Sequence, residues 1–267
     1  MRKQSAGTGS LYYQKMTAEQ TCRQPIVLLH GLFGMSDNLK SLGGSLRKSR
    51  DVILPDLVNH GRSFHRREMT LTEMAGDVLL LMDDLGIKNL SVLGHSLGGK
   101  VGMQIALMAP ERIASLVVLD IAPVVYPDRH SCFFTALRQI ESNKPHTRKE
   151  AERMLEEAGM SLPYRQFFLK SLKKDANDRW EWCFGLDEII DAYNDICCAP
   201  VMTKPFSGSV LFVKGGMSDY IIDAHIPELF RLFPNAIIET IPDAGHWLHF
   251  DNPVLTGKRV IDFLDSY

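Results

Sequence analysis

The chain has 267 residues, of which 45% are hydrophobic and 23% charged, with a formal net charge of −2. That balance excludes disordered, collagen-like and coiled-coil chains and leaves a globular protein with one large core or two modest ones. Thirty Lys and Arg against 32 Asp and Glu give no basic excess of the kind that would draw nucleic acid or anionic lipid, so neither is expected as a partner.

At the start of the chain Arg2 and Lys3 are not followed by an apolar stretch, so no signal peptide is expected. Leu11, Tyr12 and Tyr13 read as part of one or two edge strands. Ile26 to His30 is the first clear strand, followed by a helical stretch around Asp37 to Lys48 and the strand Val52 to Pro55. Met74, Val78, Leu81, Met82 and Leu85 recur at helical spacing across Leu71 to Leu85. Strand Leu90 to Gly94, helix Leu97 to Ala109 ending at Pro110, and strand Leu116 to Ile121 come next. Asp120 and Pro123 break the longest apolar run, Ser115 to Tyr126, well short of the ~20 residues of a membrane span, so none is expected.

After Pro123 the alternation stops, and until about Phe206 the chain reads as helices rich in Phe, Tyr, Trp, Lys and Glu. Strands return at Val210 to Val213 and Ile237 to Ile241, with helical patterns over Ala224 to Phe233 and Val254 to Leu264. Short apolar strands alternating with helices predict an α/β fold with a doubly wound, mostly parallel sheet. Residues 1–123 and 207–267 are expected to form its core and residues 124–206 an inserted helical cap. Five cysteines, Cys22, Cys132, Cys183, Cys197 and Cys198, show neither a Cys-x-x-Cys pair nor zinc-like spacing. A reducing cytoplasm, no metal and no cofactor are the expectation, with Cys197 and Cys198 as packing thiols rather than a redox pair.

Gly94-His95-Ser96-Leu97-Gly98 lies between a strand and a helix, the context in which G-x-S-x-G marks a nucleophile elbow. A serine hydroxyl needs a base, and in this architecture the chain order is serine, acid, histidine. Of the histidines after Ser96, His130 and His146 fall in the expected cap and His225 near a helix start. His246 lies in the loop Pro242 to Trp247 between the last strand and the last helix, where it can lean over the elbow. His249 is its structural or substitute alternative. Two acids compete. A G-x-x-D turn counted from Gly215 places Ser218 at the fourth position and Asp219 one residue late. Asp120 ends an apolar strand, where burial demands a hydrogen-bonding partner such as an imidazole. Asp120 is favoured, Asp219 stays open, and under the first choice Ser218 is an auxiliary group.

Acyl transfer also needs oxyanion donors, which the backbone N–H groups of Leu32 and Leu97 would supply. His30 is expected to brace the loop His30 to Gly34. Phe33 is a candidate for lining the acyl pocket or for plain core packing, and His95 and Trp247 are candidate substrate contacts. Asp56 to Ser63 reads as structural. Arg62, Arg66 and Arg67 form a basic cluster, read as a solvated loop in preference to an anion site. Among Phe133, Phe134, Phe167, Phe168, Trp180 and Trp182, some are expected to cover Ser96 and the rest to pack the cap.

Together, His30 to Gly34, Asn59-His60-Gly61, Gly94 to Lys100, Asp120 to Pro123, Gly215 to Tyr220 and Gly245-His246-Trp247 resemble the α/β-hydrolase superfamily, and within it the bacterial YbfF-type esterases. The resemblance implies a small helical cap, cleavage of short-chain acyl esters with acyl-CoA thioesters as a further substrate class, and a triad of Ser96, Asp120 and His246 with Ser218 as an added member. A proline-like turn residue is expected after that serine in the family, and Asp219 departs from it. Serine carboxylesterase activity on a small-molecule ester is therefore the leading expectation. Carbon–carbon bond hydrolysis, perhydrolysis and an idle ligand-binding module are the alternatives. Oligomeric state has no signal in the sequence.

Overall fold

The computed structural model describes residues 9–20, 23–201 and 203–266. The expectations resting on Arg2, Lys3 and Cys22 lie outside the described residues. In chain order the elements are β1 (Tyr13–Met16), β2 (Ile26–Leu29), α1 (Lys40–Leu46), β3 (Val52–Pro55), α2 (Leu71–Asp84), β4 (Leu90–His95), α3 (Leu97–Met108) and β5 (Ile113–Leu119). There follow α4 (Ser131–Asn143), α5 (Arg148–Glu157), α6 (Leu162–Lys170), β6 (Leu172–Lys174), β7 (Trp180–Trp182), α7 (Leu186–Asp191) and α8 (Tyr193–Cys197). The chain closes with β8 (Ser209–Gly215), α9 (Ile226–Leu232), β9 (Ala236–Ile241), α10 (Leu248–Asp251) and α11 (Pro253–Asp265).

Seven strands form one sheet in the order β1-β3-β2-β4-β5-β8-β9. Among the described residues only the edge strand β1 runs antiparallel in this sheet, pairing Tyr13 with Pro55 and Met16 with Val52; the remaining pairings in it are parallel. The fold is thus the doubly wound α/β sheet that the alternation predicts. Because side chains alternate across a strand, the all-apolar β2 feeds two cores. Val27 and Leu29 pack on the side of α2 and α3, while Ile26 and Leu28 face Leu39 and Leu42 around α1 and Val260 and Phe263 of α11. Helix α2 begins where Thr70 and Glu73 cap each other: the Glu73 N–H donates to Thr70 Oγ1 at 3.2 Å and the Thr70 N–H to Glu73 Oε2 at 3.0 Å.

The described residues between β5 and β8 hold five helices and also the antiparallel ribbon β6–β7, which the helical reading of this stretch misses. Its cause is local. Asp175 accepts the N–H groups of Asn177 at 2.8 Å and Arg179 at 2.9 Å, and Asp178 takes a φ of +62°, so the chain reverses between β6 and β7.

Two arginines of the basic cluster are engaged by the fold, while Arg67 is exposed. Arg66 makes two 2.8 Å bonds to Asp77, and Arg62 stacks on and hydrogen-bonds Tyr12. Cys132, Cys183, Cys197 and Cys198 are free thiols. Among the described residues no helix is long and apolar enough to cross a membrane.

Candidate active site

Four strands, β4, β5, β8 and β9, end side by side at the carboxyl edge of the sheet, and the turns and loops after them deliver the polar side chains. Ser96 sits between β4 and α3 with φ of +51° and ψ of −118°, a strained conformation for a residue with a side chain. The turn closes only because its neighbours are glycines: a Cβ on Gly94 would overlap the Gly98 carbonyl, and one on Gly98 the Leu29 carbonyl. Asp120 follows β5, and Ser218 lies in the turn after β8, whose Ser218 N–H donates to the Gly215 carbonyl at 3.1 Å. His246 comes from the loop after β9.

Ser96 Oγ lies 3.0 Å from His246 Nε2, and His246 Nδ1 lies 2.8 Å from Asp120 Oδ2. Since a carboxylate only accepts, Nδ1 carries the proton and Nε2 is free to accept from the serine hydroxyl. Asp120 is fully buried, and its charge is met by three donors: the Gly215 N–H at 2.8 Å on Oδ1, and Ser218 Oγ with His246 on Oδ2. Asp219 points elsewhere. Its carboxylate pairs with Arg129 at 2.7 Å, which holds it below the usual carboxylate range, and its side chain is largely exposed.

His95 Nε2–H donates to the His246 carbonyl at 2.8 Å, bracing the His246 backbone; burial drives the pKa of His95 well below the ordinary histidine value. His249 packs its ring 4.6 Å from that of His95, is buried, and makes no hydrogen bond through Nδ1; burial lowers it to about 3. It is therefore placed as a packing residue and does not reach Ser96 in place of His246. His130 lies beside Ser96, bonded to the Tyr193 hydroxyl at 2.7 Å.

A cavity opens above Ser96, lined by Leu32, Phe33, Tyr164, Phe167, Phe168 and Trp247 among others. A second lobe that also touches Ser96 is lined by Leu97, Lys100, Tyr126, Arg129 and Tyr193. Of the aromatic residues flagged between 124 and 206, Phe167 and Phe168 face the cavity. Phe133 packs on Tyr164, Phe134 on Tyr193, Trp182 stacks on Phe184, and Trp180 lies beside Lys174. Trp247 fills the wall between Phe167 and Tyr164.

Several site residues escape the sequence reading. Tyr220 lies flat on the His246 ring, and Tyr126 accepts the Ala122 N–H at 2.8 Å while donating to the Tyr220 carbonyl. Lys100, one turn into α3, donates to the carbonyls of Cys197 at 2.8 Å and Cys198 at 2.7 Å at the end of α8, and burial pulls its pKa down to about 8. Nothing in their spacing announces these contacts, which join segments far apart in the chain.

The description of the alpha/beta hydrolase fold matches residues 24–253. The chain belongs to the α/β-hydrolase family. Mouse (Mus musculus) sn-1-specific diacylglycerol lipase ABHD11 is 37% identical over 249 residues, covering 90% of this chain and 78% of that protein. Escherichia coli esterase YbfF is 35% identical over 246 residues, covering 91% of this chain and 93% of its own. A solved structure described as a marine microorganism esterase superposes with a TM-score of 0.91 at 32% identity, over 96% of this chain and 100% of that one. With esterases and a lipase among its relatives on this serine-hydrolase fold, the protein is an α/β-hydrolase enzyme of the ester-cleaving kind.

Proposed function

We propose that this α/β hydrolase cleaves short-chain acyl esters through an acyl-enzyme on Ser96. The carrying observation is the unbroken hydrogen-bonded line from Ser96 through His246 to buried Asp120 at the floor of an aromatic cavity. In this reading His246 Nε2 takes the hydroxyl proton as Ser96 attacks the ester carbonyl, then returns it to the leaving alcohol. Asp120 keeps the proton on Nδ1 and stabilises the imidazolium. Ser218 and the Gly215 N–H hold the carboxylate in place. Water activated by the same histidine then releases the acid.

The negative charge that develops on the carbonyl oxygen needs donors. The first N–H groups of α3, including that of Leu97, have no partner within the helix and lie at its positive end. The Leu32 N–H in the turn after β2 is the second donor. Residues 124–206 act as a cap over a core of residues 1–123 and 207–267, with Phe167 and Phe168 over the acyl group. Acyl-CoA thioesters follow the same chemistry and form the second substrate class to test.

A fluorophosphonate reagent and p-nitrophenyl esters of two to twelve carbons decide the matter, with Ser96→Ala as control. Labelling of Ser96 and turnover that peaks at short chains are expected. Wild-type protein that is neither labelled nor active would sink the reading, and a peak at ten or more carbons would remove the short-chain part of it.

A further inference from the structure

Phe33 occupies the third position of the turn Gly31 to Gly34, closed by the Gly34 N–H donating to the Gly31 carbonyl at 3.0 Å. Its φ is +61°, a left-handed conformation that bulky residues avoid and that glycine normally fills. Both of its backbone polar groups are held by buried side chains. The Phe33 N–H donates to His60 Nε2 at 3.1 Å, and the Phe33 carbonyl accepts from Ser171 Oγ at 2.8 Å. His60 is fully buried and Ser171 almost so.

The histidine bonds are reciprocal between two loops. His60, after β3, holds the backbone of the turn after β2. His30, after β2, accepts the Leu57 N–H of the β3 loop at 3.0 Å. Each ring gives its Nδ1–H to a carbonyl, His60 to Val58 at 2.8 Å and His30 to Gly31 at 2.9 Å, so each tautomer is set by its partners. Burial keeps both rings neutral, lowering His30 to about 4 and His60 to about 3.

This arrangement also orients Leu32. The Gly31 carbonyl is turned toward His30 and the Gly34 N–H. In a planar trans peptide the Leu32 N–H must point the opposite way. Ser171 belongs to the segment inserted between β5 and β8, which also touches the loop after β3: His60 bridges Phe184, and the Gly185 N–H donates to the Asn59 carbonyl at 2.9 Å.

We propose that His60 and Ser171 are positioning residues that clamp Phe33 at its N–H and its carbonyl, and so hold the Leu32 N–H where the oxyanion forms. The inserted segment thereby does more than cover the cavity, because an open or displaced segment releases the Phe33 carbonyl and lets the strained turn relax. The inference rests on the reading of Leu32 as an oxyanion donor.

The test compares Ser171→Ala, His60→Leu and His60→Gln, the last retaining a side-chain acceptor for the Phe33 N–H. For each, kcat and KM on p-nitrophenyl butyrate are measured with the affinity for a trifluoromethyl ketone, whose serine adduct places an oxyanion in the hole. Losing an oxyanion donor outright costs about 100- to 1,000-fold in kcat, so displacing one should cost about tenfold in Ser171→Ala, with KM changed less than about twofold and ketone affinity falling in step with kcat. His60→Leu should lose more and His60→Gln recover part of it. Should His60→Leu fail to fold, Ser171→Ala and His60→Gln carry the comparison. Wild-type kcat and ketone affinity in Ser171→Ala, or a loss confined to KM, would overturn the clamp alone. Wild-type protein that neither turns over the ester nor binds the ketone would overturn the Ser96 reading, and the clamp with it.

Discussion

The ring of Tyr220 stacks on the imidazole of His246 with centroids 3.7 Å apart and planes 14° apart. Tyr126 fixes Tyr220 in turn by donating to its carbonyl. A flat aromatic neighbour restricts rotation of the imidazole about its side-chain bonds while leaving both nitrogens free, and misplacement of a catalytic group by about 1 Å costs about 100-fold. Tyr220→Phe should therefore retain kcat within a few-fold, and Tyr220→Ala should lose about 10- to 100-fold. Steady-state kinetics on a p-nitrophenyl ester separates them; equal losses in both would show that the hydroxyl, not the ring, matters.

The two carboxylates that compete for the role of triad acid differ sharply in surroundings. Asp120 is buried with three donors, whereas Asp219 is exposed and paired with Arg129. In Asp120→Asn the amide can present its N–H to His246 and favour the wrong tautomer, a change worth on the order of 10⁴ in kcat. Asp219→Asn should stay within about threefold of wild type, since an exposed pair contributes at most about 1 kcal/mol. The same ester assay decides, and the opposite ranking would exchange the two roles.

Acid should unfold the protein through its buried histidines. Burial lowers His30 and His130 to about 4, and His60 and His249 to about 3, against 6.5 for an unfolded histidine. Below pH 6.5 the unfolded chain takes up protons that the folded one refuses, so stability falls with pH, by about 1.4 kcal/mol per unit for each such histidine. The loss continues until pH reaches the folded values near 4 and 3. Melting temperature is expected to be flat above about pH 7.5 and to drop steeply from pH 6 to pH 4.5. A flat profile across that window would show that these rings are protonated in the folded state.

His249 offers a separable piece of that behaviour. Its Nδ1 is buried without a partner, a state that costs about 1 to 3 kcal/mol. Replacement by a side chain of similar volume without polar atoms, His249→Leu, should raise the melting temperature at pH 7 and make its acid dependence shallower by one proton. Differential scanning calorimetry at several pH values checks both. A lower melting temperature at neutral pH would mean that the ring packs better than the unpaired nitrogen costs.

Gly98→Ala should be far more damaging than an ordinary glycine-to-alanine change in a helix. The new Cβ would meet the Leu29 carbonyl, a backbone atom in the centre of the sheet that cannot swing aside. Such overpacking costs up to about 3 kcal/mol or more, which for a chain of this size is a fall of about 6 to 12 °C. Thermal denaturation measures it, and a fall of under 2 °C would show that β2 and α3 can separate locally.

Much of this was legible along the chain because the signals are local. The all-apolar strands β2 and β4, the small residues at Gly94 and Gly98 and the Thr70–Glu73 cap each follow from the conformation of neighbouring residues. The same holds for Ser96, whose strand–turn–helix context can be read directly. The ribbon at Leu172–Lys174 and Trp180–Trp182 was obscured because its sequence carries no strand periodicity, and an aspartate-led turn alone sets it.

The choice between Asp120 and Asp219 could not be made from order and spacing. It depends on which turn bends toward the loop after β9, and that follows from the pairing of β5 with β8 and of β8 with β9. Tyr220 over His246, and His60 and Ser171 on Phe33, are contacts between residues 26 to 138 positions apart in the chain. Local chemistry therefore determined the fold class and made Ser96 and His246 the candidates, since a strand, a turn and a helix are written in neighbouring residues. Only the assembled sheet decided which carboxylate meets His246, which ring stacks on it and what holds the turn after β2, because each requires distant segments to be packed against one another.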